Sequence, residues 1–325
     1  MCTAECNNSE DTNSSSYQLQ LVSSMPMRII VSMAITQFFV WPFIYINVLM
    51  LVTFSRKQAF RTETRYILFA HTLLVDLIFL LLTDFVVLIS YSDVLMPMVF
   101  CIPFCILMEM VTLCTPLTIT AMCVERYVAI CMPLRHSALA TSSRTHTAIL
   151  IIWTVSAVRP LVDVTILAWT VSQAYLSQLT HCYYEILTPE PWHRYMRGFL
   201  YIINFITIFL VELFCYVMIM LAARTVSVDK KSAAKGLRTV SLHMFQLTLC
   251  TMEIIYPYIE DVVKQIDFKV YSSIRSFNFI TFSVIARAVS PLIYGIRDEK
   301  FYAAFVCYMQ CGQNKISFEH RQSNT

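Results

Sequence analysis

Apolar residues in this chain fall into long unbroken runs. They occupy approximately residues 28–54, 65–90, 97–131, 146–170, 196–224, 237–263 and 272–296. Each run holds the roughly 20 residues that a helix needs to cross a bilayer. A transmembrane barrel would instead show segments of about ten residues with alternating polarity, and none is present. The pattern predicts an all-α membrane protein, a bundle of seven transmembrane helices. The sixth run carries Glu253, Pro257, Glu260 and Asp261, which predicts that this end lies at an aqueous rim. Beyond the seventh run, Arg297-Asp298-Glu299-Lys300 leads into an apolar stripe from Phe301 to Val306. That is the pattern of a short amphipathic eighth helix on a membrane surface.

Composition agrees. Of the 325 residues, 57% are hydrophobic and 14% charged, against about 25% charged in soluble domains. So little charge cannot cover a water-facing surface. The net charge of +3 comes without a basic tract, so no nucleic-acid partner is expected. Only four glycines are present, and none forms a phosphate-cradling loop. The seven histidines are scattered without ligand spacing. No cofactor, metal site or enzymatic centre is therefore expected. A transporter, the reading from another functional class, predicts paired repeats and broken helices, and the sequence shows neither.

Charge sets the expected orientation. Of the 24 Lys and Arg residues, fifteen fall on the side that includes Arg56, Arg135, Lys230 and the C-terminal tail. Five (Arg194, Arg197, Lys264, Lys269 and Arg275) fall on the other side, and four lie in spans or at their edges. This predicts a cytoplasmic C-terminus and an extracellular N-terminus, as an odd number of spans requires. Residues 1–27 contain glycosylation sequons at Asn7 and Asn13, on the lumenal side in this orientation. No cleaved signal peptide is read there. The expected organisation is an extracellular N-terminus at 1–27, a seven-helix domain at 28–296, and a cytoplasmic amphipathic helix and tail at 297–325.

The third run closes on Glu125-Arg126-Tyr127, followed by Val128-Ala129-Ile130-Cys131-Met132-Pro133-Leu134-Arg135-His136. This string resembles the signature of odorant receptors within the rhodopsin-like G-protein-coupled receptors, with Glu in place of the usual Asp. Other landmarks resemble the same family in order: Asn47, Asp76, Trp153, Tyr216, the stretch Lys235 to His243, and Ser290-Pro291-Leu292-Ile293-Tyr294. Ser290 replaces the usual Asn, and Thr251 stands where an aromatic is usual, so the chain resembles a divergent, fish-type branch. The resemblance implies a small-molecule odorant bound inside the bundle, a heterotrimeric G protein of the stimulatory olfactory type, and cyclic AMP. It implies a multi-pass protein of the plasma membrane in contact with membrane lipid. A non-olfactory chemosensory receptor is the nearest alternative. It also implies a Cys101–Cys182 disulfide, and roles for Glu125, Arg126, Tyr127, Tyr216, Pro291 and Tyr294 in G-protein coupling.

Ionisable residues at membrane depth are costly and usually functional. Arg159 and Asp163, four apart, are expected to pair along the fourth helix. Asn47, Asp76, Arg287 and Ser290 form an expected inner polar network, with Arg287 paired to Asp76 in place of a bound cation. Two roles stand open for Glu109: a ligand contact, or a hydrogen-bonded brace of the fourth and fifth helices, with Glu212 a candidate to share its proton. Helical spacing within the family's pocket nominates Cys105, Met108, Glu109 and Thr112, then Leu200, Asn204 and Thr207. It adds Ile254, Ile255 and Tyr258, and lastly Phe279 and Ser283. Cys307 and Cys311 are candidates for lipidation. Cys2 and Cys6 pair with each other or stay free.

Overall fold

A computed structural model describes residues 10–92, 94–180, 182, 184–225, 230–266, 270, 274, 277–291, 298 and 300–308. Asn7, Tyr294, Cys311, Cys2 and Cys6 lie outside the described residues, as do the side chains of Asn13, Ile254, Tyr258 and Ser290.

Seven helical segments match the seven apolar runs. They are α1 (Glu10–Arg56), α2 (Thr64–Tyr91), α3 (Met98–Cys131), α4 (Ser142–Thr170), α5 (Pro191–Thr225) and α6 (Lys230–Ile266). The seventh, α7, is a π-helical stretch Phe279–Ile285 that continues into Ala286–Pro291. α1 begins 18 residues before its apolar run does. Its 47 residues would extend about 70 Å at 1.5 Å per residue, twice the thickness of a bilayer core. The segment with membrane-crossing character is Met33–Arg56. α5 also starts earlier than its apolar run, at Pro191, and so takes His193 into the helix.

Among the described residues, five of these helices are long and apolar enough, by length and composition, to cross a membrane. In lipid each helix must satisfy its own polar groups. The threonines do this locally: Thr72 donates to the carbonyl of Leu68, Thr118 to Cys114 and Thr251 to Leu247. α3 is the central post, packed against α2, α4, α5 and α6, while α1 lies on α2 and α7. A brace joins three helices: Trp153 donates its indole N–H to Nε2 of His71 (2.9 Å), and Nδ1 of His71 meets the Thr118 hydroxyl (3.1 Å). With Nε2 accepting, the ring proton sits on Nδ1.

One end of the bundle is closed by the loop between α4 and α5. Its strand Leu179–Thr180 pairs antiparallel with Met96–Pro97, with Met96 opposite Thr180. The Cys101–Cys182 disulfide, Cα–Cα 5.4 Å, pins it to the start of α3. Met98, Ile186 and Leu176 pack around the bridge. At the opposite end residues 300–308 are helical. Phe301 is fully buried among Phe60, Tyr66 and Phe69, so the expected amphipathic stripe docks on the base of α2. Asp298 caps this segment by accepting from the backbone N–H groups of Lys300 (3.1 Å) and Phe301 (3.0 Å), and from the Tyr66 hydroxyl (3.0 Å).

Candidate functional site

Among the described residues, most of the bundle's buried charges group into three tiers. The first lies toward the disulfide end, between α3, α4 and α5. Glu109 of α3 is 4% exposed. Its Oε1 receives Arg159 of α4, Arg197 of α5 (2.7 Å) and the hydroxyl of Tyr201 (3.0 Å). The Arg159 guanidinium also lies over the Tyr201 ring, 3.2 Å from its centroid. Asp163 faces His193 (2.8 Å) and the Nε of Arg197 (3.8 Å).

This overturns one expectation. Arg159 pairs across to Glu109, not along its helix to Asp163. Glu109 braces α4 and α5, one of its two open roles, but through cations, while Glu212 accepts from Thr120 (3.4 Å). Arg197 is a buried member of the cluster. The missed residues had a signal: His193, Arg197 and Tyr201 are four apart, which places all three on one face of a helix.

The second tier is central. Arg287 of α7 is completely buried. Its guanidinium pairs with Glu253 of α6 and lies 3.8 Å from the centroid of the Phe79 ring. The expected Asp76 pairing is therefore replaced. Asp76 accepts from the Thr115 hydroxyl (3.2 Å) and adds to the attraction on Arg287 through space. Asn47 donates to the carbonyl of Phe43 on its own helix (2.8 Å). Where the π-helical stretch ends, Gln246 donates to the carbonyl of Ala286 (3.4 Å), linking α6 to α7 again.

Beside these tiers is a cavity of about 20 Å³ lined by Leu113, Pro116, Tyr201, Asn204, Phe205, Ile208, Leu247, Cys250 and Thr251. It has room for about one water. Of the nominated ligand contacts whose side chains are described, Asn204 lines it. Leu200, Thr207 and Ile255 are exposed on the outside of the bundle. Cys105 packs with Leu167 and Leu187, and Met108 lies against the cluster around Val111 and Ile152. Thr112 donates to the Met108 carbonyl (2.8 Å). Phe279 packs against Val40 and Leu80, and Ser283 is buried within α7. The other eight lining residues, Tyr201, Phe205, Leu247 and Cys250 among them, were not nominated by spacing.

The third tier is at the far end of α3. Glu125 holds the Nε of Arg126 at 3.5 Å and the Nε2 of His136 at 3.4 Å. The short helix Pro133–Leu139 thus returns a second partner to the acid. Tyr127 makes an edge contact with Phe214, and Tyr216 packs with Tyr127 against Cys123, Cys215 and Val240. Cys123 of α3 meets Nδ1 of His243 of α6 at 3.2 Å. Pro291 is buried, and Cys307 is exposed at the end of the last helical segment.

The arrangement is a helical bundle with an acid–arginine pair at one end and a loop pinned over the other. Residues 46–294 match the family described as 7 transmembrane receptor (rhodopsin family). The chain is 39% identical over 271 residues to odorant receptor 131-2 of Danio rerio, covering 83% of each chain. It is 39% identical over 111 residues to growth hormone secretagogue receptor type 1 of Rattus norvegicus, and 38% over 111 residues to the Homo sapiens protein of that name. Those two matches cover 34% of this chain and 30% of the relative. The chain is a member of the rhodopsin family of seven-transmembrane receptors.

Proposed function

We propose that this receptor is an odorant receptor of the plasma membrane that binds a small molecule inside the bundle and activates a heterotrimeric G protein. The observation that carries this reading is the 39% identity with a zebrafish odorant receptor over most of both chains. The tiers supply a mechanism. At rest Glu125 engages Arg126 while the Cys123–His243 contact keeps α6 against α3. A ligand that prefers the open arrangement shifts the population toward it. α6 moves away, and Arg126 and Tyr216 line the cleft that receives the G protein, of the stimulatory type that raises cyclic AMP. The charge asymmetry of the loops supports an N-terminus outside and a C-terminus in the cytoplasm. The receptor has no enzymatic role in this scheme.

The test is expression with a cyclic-AMP reporter against a panel of odorants. A ligand-dependent signal that disappears in Arg126→Ala is the expected result. Ligand-driven transport or turnover without G protein would overturn the proposal. An antibody to an N-terminal epitope, applied to intact cells, checks the orientation.

A further inference from the structure

The cluster between α3, α4 and α5 holds more polar capacity than bracing three helices requires. It contains two carboxylates, Glu109 and Asp163, and two guanidinium groups, Arg159 and Arg197. Oε1 of Glu109 is saturated by three donors, yet its buried Oε2 accepts no hydrogen bond. Nε and Nη1 of Arg159 donate none, and Oδ2 of Asp163 accepts none. Buried polar atoms without partners are costly, and native structures keep them few. Here they are of both kinds, anionic acceptors and cationic donors, in one place.

That mixture selects a partner. An ammonium alone would be drawn to Glu109 and Asp163 but repelled by Arg159 and Arg197. A carboxylate alone meets the reverse. A group carrying both charges matches each orphan with its complement and leaves the net charge of the cluster unchanged. Tyr201 connects this polar patch to an apolar space: its hydroxyl bonds Glu109 and its ring lines the cavity with Leu113, Phe205 and Ile208.

We propose that Glu109, Arg159, Asp163 and Arg197 form the head-group subsite of the receptor's ligand, and that this ligand is a small zwitterion with a short apolar tail. The proposal rests on the receptor reading above. The ammonium is received by Oε2 of Glu109 and Oδ2 of Asp163. The carboxylate is received by the unbonded N–H groups of Arg159. The tail extends past Tyr201 into the cavity, which must widen by side-chain movement from about 20 Å³.

The test uses the full chain purified into nanodiscs, with its thermal midpoint read against three matched series. These are apolar L-α-amino acids from alanine to phenylalanine, the corresponding amines without carboxylate, and the corresponding carboxylic acids without ammonium. The zwitterions should raise the midpoint at concentrations at least tenfold lower than either other series. Glu109→Gln and Arg159→Gln should each remove that preference. If a variant does not fold, the three series on the unaltered receptor still decide. Amines or acids that match the zwitterions, no shift from any series, or an undiminished preference in both folded variants would each overturn the proposal. The receptor reading is scored separately: an Arg126-dependent cyclic-AMP response to any odorant keeps it in place even where the subsite fails.

Discussion

Replacing Arg287 by methionine should be among the most damaging single changes in the bundle. Methionine keeps much of the aliphatic bulk and removes the charge. It leaves the Glu253 carboxylate without its cation in a site where that side chain is only 12% exposed. Breaking a buried pair by removing one member costs about 3–5 kcal/mol. Loss of the cation over the Phe79 ring adds about 1–2 kcal/mol when desolvated. The sum approaches the roughly 5–15 kcal/mol by which whole domains are stable. Glu253→Gln should be milder, since an amide oxygen still accepts from the guanidinium. Expected readouts are loss of surface expression and a markedly lower thermal midpoint for Arg287→Met, with a smaller drop for Glu253→Gln. The exchange Glu253→Arg with Arg287→Glu should recover part of the loss. Single variants that keep wild-type expression and midpoint would refute the argument. So would recovery by exchanging Asp76 with Arg287 where the Glu253 exchange fails.

The other predictions concern the two ends. Cys101→Ser opens a bridge spanning 81 residues, worth about 4 kcal/mol in the chain-entropy treatment; lower surface expression and faster proteolysis of the loop after α4 are the measurements. Asp298→Ala removes the cap of residues 300–308 at about 1–2 kcal/mol. Amide exchange should accelerate in that segment, and Tyr66→Phe should reproduce part of the effect. Glu125→Gln weakens the hold on Arg126 and should raise ligand-independent cyclic AMP, with His136→Ala giving a smaller rise in the same reporter. Cys123→Val with His243→Phe replaces a polar α3–α6 contact by apolar groups. Such a double replacement is nearly neutral for stability, so its expected signature is altered basal signalling at an unchanged thermal midpoint.

The hydrophobic runs alone determined the seven spans, because a bilayer demands about 20 apolar residues per crossing and nothing else in the chain is that long. Resemblance to a known receptor family marked the Arg126 end and implied the cysteine pair that closes the other. The sequence did not determine which faces of the helices look inward. In water an amphipathic stripe phases a helix. In lipid the outer face is as apolar as the inner one, so Leu200, Thr207 and Ile255 read as pocket residues and lie exposed on the outside of the bundle. Nor did it determine the partners of the buried charges. Along one helix, Arg159 and Asp163 are neighbours by spacing. Only the packing of α3, α4 and α5 brought Glu109 to Arg159, and Asp163 to His193 and Arg197. Likewise Arg287 has acids on two neighbouring helices, and the approach of α6 to α7 gave it Glu253. A charge in a membrane takes the partner that reaches it, and reach across helices is a property of the tertiary structure.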